Sequence, residues 1–245
     1  MVILFAPSEG KKEGGILPPI NSESYIFPEL YSKRLEVVKA YETLVREGSD
    51  ERLVDLFGIK NIKEFERYKT PLREAPTMKA IERYDGVAYD YLQYKSLERD
   101  AQAYVDNRVI LFSNLFGPIR ARDPLPDYKL KQGSLIGSLV PEKHYKEYFS
   151  NVLDRYIGDQ EVLDLRAGFY DKFYVPKNKT TTLKFLKEGK VVSHWAKAYR
   201  GVILREAATH RVETIEELLA LQIEGLMFSE IREMKRATEI VYTIF

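Results

Sequence analysis

Three segments of the chain set cations among aromatic rings and glycines. In "HWAKAYRGVILREAATHR" (194–211), Lys197, Arg200, Arg205 and Arg211 follow helical spacing around one glycine, Gly201. At about 100° per residue, Lys197, Arg200 and Arg211 fall within roughly 60° of one another, with Arg205 on the flank. Tyr199, Val202, Ile203 and Glu206 lie on the other side. A cationic face of this kind serves either phosphate binding or plain solubility. A glycine inside a helix costs about 1 kcal/mol relative to alanine, so Gly201 points to the close approach of another backbone or a ligand.

In "SNLFGPIRARDPLPDYKLKQG" (113–133), Arg120, Arg122, Asp123 and Lys129 sit in a loop braced by three prolines. The guanidinium fork matches phosphate or carboxylate, and Asp123 either orients an arginine or pins the loop. In "DLRAGFYDKFYVPKNK" (164–179), Arg166, Lys172, Lys177 and Lys179 interleave with Phe169, Tyr170, Phe173 and Tyr174. That pattern suits phosphate neutralisation with bases stacked on rings, or simply a core with a charged rim.

The formal net charge of +1 hides a strong polarity. Residues 166–211 carry a net +8 and residues 108–133 a net +3, so the remainder carries about −10. Such asymmetry bears on partners rather than on fold. The absence of cysteine excludes disulfides, thiolate metal sites and thiol catalysis. The histidines, His144, His194 and His210, are far apart with no paired spacing, so neither a metal site nor a cofactor is expected. No apolar run approaches the roughly 18–20 residues of a membrane span. "MVILFAPSEG" lacks the basic start of a signal or transit peptide, and a cytoplasmic location without a membrane partner is expected.

The elements that must position these groups read as a single α+β domain over 1–245, a mixed α/β arrangement with a central mixed β-sheet flanked by helices. Val2–Pro7, Arg108–Gly117 and "EVLDLRAG" read as buried strands. Helical spacing runs from Pro28 to Arg46, through "DERLVDLF" to Gly58, through "NIKEFERY" with Asn61 as N-cap, and through "PEKHYKEYFSNVLDRYIG". Glu188-Gly189 marks a hairpin, Thr214 an N-cap, and the tail two strands around a turn. The loop "EGKKEGG" is not a phosphate-binding Walker sequence. Ser8 and Glu9 nevertheless follow the first strand, where α/β proteins place ligand contacts, and Lys11 or Lys12 there suits a phosphate.

Four pieces, "ILFAPSEGKK", "LFSNLFGPIRARDPLPDYKLKQG", "DLRAGFYDKF" and "HWAKAYRGVILREA", together resemble the YaaA family of bacterial peroxide-stress-resistance proteins. The similarity spans essentially the whole chain. Its strongest motifs are Leu115-Phe116-Gly117 with Arg120, Asp123, Tyr128 and Leu130, and Ala196-Lys197 with Arg200, Gly201 and Arg205. The resemblance implies a mixed α/β domain with a basic cleft, binding of double-stranded DNA, and a role in limiting iron-linked oxidative damage. It implies a helix-hairpin-helix element too, for which "LFGIKNIKEF" is the candidate, with Gly58, Lys60 and Lys63 near the phosphate. Lys60 replaces the hairpin's second glycine, and Phe169 stands where relatives carry an acid.

The expected partner is therefore duplex or structured DNA, bound without sequence specificity because no base-reading module is present. The expected contacts are Lys11, Lys12, Arg120, Arg122, Lys129, Lys172, Lys197, Arg200 and Arg205, converging on one groove. An enzyme acting on a nucleotide or nucleic-acid base in the same cleft is the alternative. No catalytic motif is visible, and Glu9, Asp123 and Tyr170 are its candidate acid–base groups. A basic face docking an acidic protein remains open as well.

Overall fold

Val2–Phe5 (β1) is apolar and buried at every position, the signature of a parallel strand covered on both faces. The computed structural model describes residues 1–245, apart from the side chains of Ser193 and His194. After β1 the chain forms the short strand β2 (Gly10–Lys11), helices α1 (Tyr31–Glu47) and α2 (Asp50–Phe57), and a 3-10 turn over Ile62–Tyr68. Next come β3 (Thr77–Lys79), α3 (Ala80–Arg83), β4 (Tyr84–Asp85), α4 (Val87–Leu92) and α5 (Arg99–Arg108). Strands β5 (Val109–Ser113), β6 (Gly117–Arg120) and β7 (Pro124–Pro126) precede α6 (Pro141–Ile157) and β8 (Val162–Leu165). The chain ends with β9 (Thr180–Lys187), β10 (Lys190–Val191), α7 (Ser193–Thr209), α8 (Ile215–Ala220), β11 (Leu226–Glu233) and β12 (Ala237–Ile244).

Among the described residues eight strands form one sheet, in the order β11-β12-β9-β8-β1-β5-β6 with β10 on β9. The middle of the sheet is parallel: β5 and β8 flank β1, β9 lies on β8, and β12 on β9. Antiparallel strands close both edges, β6 on β5 and β11 on β12. The expected α+β domain with a mixed central sheet is thus present, and its core runs continuously from β1 to the flanking helices. None of the helices among the described residues is long and apolar enough to cross a membrane.

The strand order contains one reversal. From β1 the chain moves to β5 on one side, then returns through α6 to β8 on the other. The two strands therefore send their connections in opposite directions, which opens a crevice beyond their carboxyl ends.

Local signals account for many boundaries. Asn61 and Thr214 accept the N–H groups of Lys63 and Glu217, as N-caps do. Glu188 and Gly189 both take positive φ, 50° and 73°, and turn β9 into β10. Helix α7 stops at Thr209, so Arg211 lies beyond it in a left-handed conformation (φ 53°). Arg211 pairs with Asp100 at 3.3 Å and does not extend the helix's cationic face.

Candidate functional site

The crevice beyond β1 and β8 holds a hollow of about 480 Å³, walled by both strand ends and by α4 and α7. Ser8, Glu9, Tyr89, Tyr170, Lys197 and Arg200 supply its polar atoms, while Phe5, Val87, Ala88, Leu165 and Ala167 supply carbon.

The back wall depends on one helix crossing. A Cβ at Gly201 would lie 2.0 Å from the carbonyl oxygen of Ala88 and 3.1 Å from the amide nitrogen of Leu92. The glycine of the basic helix is therefore there because the backbone of α4 occupies the space of a side chain. Gly86, which precedes α4, is fixed from the opposite side. It has φ +145°, and a Cβ there would sit 2.6 Å from Ser8 Oγ.

The floor is the Ser8–Glu9 loop. Glu9 Oε1 accepts the Gln132 N–H at 3.0 Å, tying the loop after β1 to the lysine-rich segment before α6. The Glu9 carbonyl accepts Lys129 Nζ at 3.4 Å and Lys11 Nζ at 3.5 Å. The Lys11 ammonium lies over the Tyr128 ring at 4.1 Å and the Tyr84 ring at 5.2 Å. Burial, reinforced by the neighbouring Lys129 charge, lowers its pKa to about 7. Lys11 is thus enclosed beneath the loop, while Lys12 next to it is exposed. The backbone of Lys12 is held by Arg83, whose Nη1 donates to the Lys12 carbonyl at 2.5 Å.

The aromatic groups are structurally anchored. Tyr89 donates to the Ala6 carbonyl at 2.9 Å, and Tyr170 to Asn114 Oδ1 at 3.4 Å. Burial raises both phenol pKa values, so both hydroxyls stay protonated at neutral pH.

Two of the three cations of α7, Lys197 and Arg200, line the hollow, whereas the third, Arg205, does not. Lys197 is exposed and Arg200 half-buried, and among the described residues neither makes a hydrogen bond or an ion pair. Burial lowers the Arg200 pKa, with Asp164 as the nearby opposing charge. Asp164 is already engaged by Arg166, which donates from Nε at 2.9 Å and from Nη2 at 2.7 Å. A partly desolvated guanidinium without its own counter-ion favours an incoming anion.

The expected groove is smaller than the sequence suggested. Arg205 donates to the Leu92 carbonyl at 3.0 Å and to Ser96 Oγ at 3.1 Å, closing the end of α4. Arg120 Nε donates to Asp123 Oδ1 at 2.8 Å, and Asp123 Oδ2 accepts the Ile26 and Arg120 amides at 3.0 and 2.9 Å. Asp123 is 2 % exposed, so it pins its loop and has no access to the hollow. Arg120 pairs with Ile110 near the start of β5, and Arg122 bonds Asn107 at the end of α5. Both lie at the sheet end opposite the crevice. Lys172 is exposed over the Phe169 ring at 4.8 Å, in the 3-10 turn that follows β8. Phe169 itself packs on Tyr170 and Phe173 as an apolar cover.

Gly58 ends α2 with φ +67° and abuts the Lys131 side chain, one residue from Gln132 of the hollow. The element after it is a 3-10 turn rather than an α-helix, with Lys60 and Lys63 exposed. His144 Nε2 bonds the Lys33 carbonyl at 2.8 Å and His210 lies 3.6 Å from Glu206; the His194 side chain is outside the described residues. Among the described residues no group of three or more His, Asp or Glu is placed to hold a metal ion.

The sequence reading missed Gly86, Ala88, Gln132 and Ala167. The "DG" of Asp85-Gly86 was the available signal, since it marks a turn immediately before a new element.

Comparison with known proteins places the chain in a family. A family model described as peroxide stress protein YaaA matches residues 1–232. The chain is 50% identical over 244 residues to an uncharacterized protein of Campylobacter jejuni, covering 100% of this chain and 99% of that one. It is 34% identical to a UPF0246 protein of Corynebacterium efficiens, covering 97% and 98%, and 33% identical to one of Streptomyces coelicolor, covering 84% and 82%. A match of this extent settles the kinship: the protein belongs to the peroxide stress protein YaaA family.

Proposed function

We propose that the protein serves the peroxide-stress response in the cytoplasm by binding duplex or structured DNA at the crevice, limiting iron-linked damage to it. The observation that carries this reading is the pair Lys197 and Arg200, side by side on α7 without protein counter-ions. Every other arginine of the three cationic segments has an oxygen partner within the chain. Lys12, Lys60, Lys63 and Lys172 are exposed for secondary phosphate contacts, and Lys129 reaches the Glu9 carbonyl of the floor. The turn at Gly58 takes the helix-hairpin-helix role in this reading, with lysine charge in place of a second glycine amide.

Fluorescence anisotropy with a labelled duplex over a salt series tests it. Each phosphate contact contributes a log–log slope of about −0.9. Lys197→Ala with Arg200→Ala should weaken binding at least tenfold at low salt, equally for unrelated sequences, and flatten the slope by about 2. An unchanged slope would remove the crevice from the account.

The hollow favours a second reading, an enzyme acting on a nucleotide or base. Glu9 and Tyr170 line it and remain candidate acid–base groups, whereas Asp123 is buried in its own loop. Incubating the protein with modified or mismatched oligonucleotides and resolving the products by mass spectrometry tests this directly.

A further inference from the structure

We propose that the hollow receives one nucleotide unit, with the aromatic base inside and its phosphate at the mouth against Lys197 and Arg200. The inference rests on the nucleic-acid reading above and names the part of the ligand that enters.

A phosphodiester chain needs only cations on a surface. It gives no reason for a recess walled by Phe5, Val87, Ala88, Leu165 and Ala167. An aromatic base does, since its faces are apolar and its edge is polar. The volume of about 480 Å³ lies within the ~300–1,000 Å³ common for small-ligand sites. A duplex, whose major groove alone is about 12 Å wide, must remain outside.

The polar groups fit a base edge as well. Glu9 gives one oxygen to the Gln132 amide, and its second oxygen accepts no hydrogen bond among the described residues. A carboxylate accepts from an exocyclic amino group such as cytosine N4. Ser8 Oγ, also in the lining and also without a hydrogen bond, supplies a donor–acceptor beside it. Thymine, with no amino group, should be the poorest fit. Lys197 and Arg200 come from α7 and Ser8 and Glu9 from the loop after β1, so charge and edge recognition are supplied by different elements.

Such a unit has two sources. A free nucleotide enters directly. A nucleotide within DNA must leave its stack, at a few kcal/mol, least for mismatched or unpaired positions.

The test uses the full chain in two arms. In the first, dCMP, dAMP, dGMP, dTMP and inorganic phosphate are titrated and thermal stabilisation is read. In the second, a duplex carrying 2-aminopurine at a mismatch is bound at saturating protein, with anisotropy reporting binding and 2-aminopurine fluorescence reporting unstacking. The expected result is a severalfold fluorescence rise that falls at least fivefold in Ala167→Phe, which fills the hollow. Glu9→Gln should erase the preference for amino-bearing bases over thymine, a readout that survives if Ala167→Phe does not fold. Stabilisation by nucleotides but not phosphate, without DNA binding, would support the occupant while refuting the DNA reading. DNA binding with silent 2-aminopurine and no nucleotide stabilisation overturns the inference and leaves DNA binding standing. No binding in either arm overturns both.

Discussion

Arg34 and Arg200 carry the same side chain in two regions of one molecule, and their surroundings could hardly differ more. Arg34 is 1 % exposed on α1 and donates to the carbonyls of Ile26 (2.8 Å), Pro118 (2.7 Å) and Phe116. Its guanidinium also faces the Phe149 ring at 4.6 Å. Arg83 does similar work, drawing Lys12, Gly14 and Leu125 together through their carbonyls. Arg200 makes no such bond. What separates a structural from a binding arginine here is the supply of backbone oxygens: Arg34, Arg83 and Arg205 each meet carbonyls left free by a loop, a strand or a helix end, whereas Arg200 meets none. Cation density in the sequence therefore overstates the size of an anion site.

The comparison can be broken at its structural arginine first. Arg34→Leu leaves three buried carbonyls unpaired and should cost about 3–5 kcal/mol of unfolding free energy, read by urea denaturation. A loss below about 1 kcal/mol would mean that the cage is not what holds the 26–34 and 116–118 segments together. Gly201→Ala comes next. It forces α4 and α7 apart and should cost about 3 kcal/mol in the same assay; a neutral result would show that the crossing yields easily.

A subtler contrast is titration at Lys11. Its folded pKa of about 7 lies below the ordinary lysine value, so between the two the unfolded chain binds one proton more than the folded chain. Stability should therefore rise with pH from about 7.5 to 9.5, by up to about 1.4 kcal/mol per pH unit from this group. Lys11→Met should remove that slope, and a slope that persists assigns it elsewhere. The smallest effect is expected at Arg122, exposed at the far end of the sheet. Arg122→Ala should change stability by less than about 0.5 kcal/mol and duplex affinity by less than about twofold. A large drop in affinity would place DNA on the opposite end from the crevice.

Much of the architecture was legible because its signals are local. The apolar runs of β1 and β5, the Asn61 and Thr214 caps, and the Glu188-Gly189 turn each depend on a few neighbouring residues. Ser8 and Glu9 were readable for the same reason: a residue just past a buried strand reaches the strand's carboxyl end. Helix α4, six residues long and without a side-chain N-cap, gave little periodicity to detect. The Arg120–Asp123 pair was one of the two readings open at that loop, because its partners are three residues apart, but the fates of Arg122 and Arg205 were not readable. Arg122 and Arg205 depend on partners brought by folding, and for Arg205 the partners Leu92 and Ser96 lie over a hundred residues away in sequence. The glycine of α7 was half readable: its cost announced a close neighbour, but only the fold identifies Ala88.

That crossing has an implication for selectivity. Two backbones in van der Waals contact offer no rotamer to swing aside, so the rear of the crevice behaves as a fixed gauge rather than a flexible glove. Molecules are sorted by rigid outline before any charge is felt at depth, and a fitting guest binds without the entropic penalty of ordering the wall behind it.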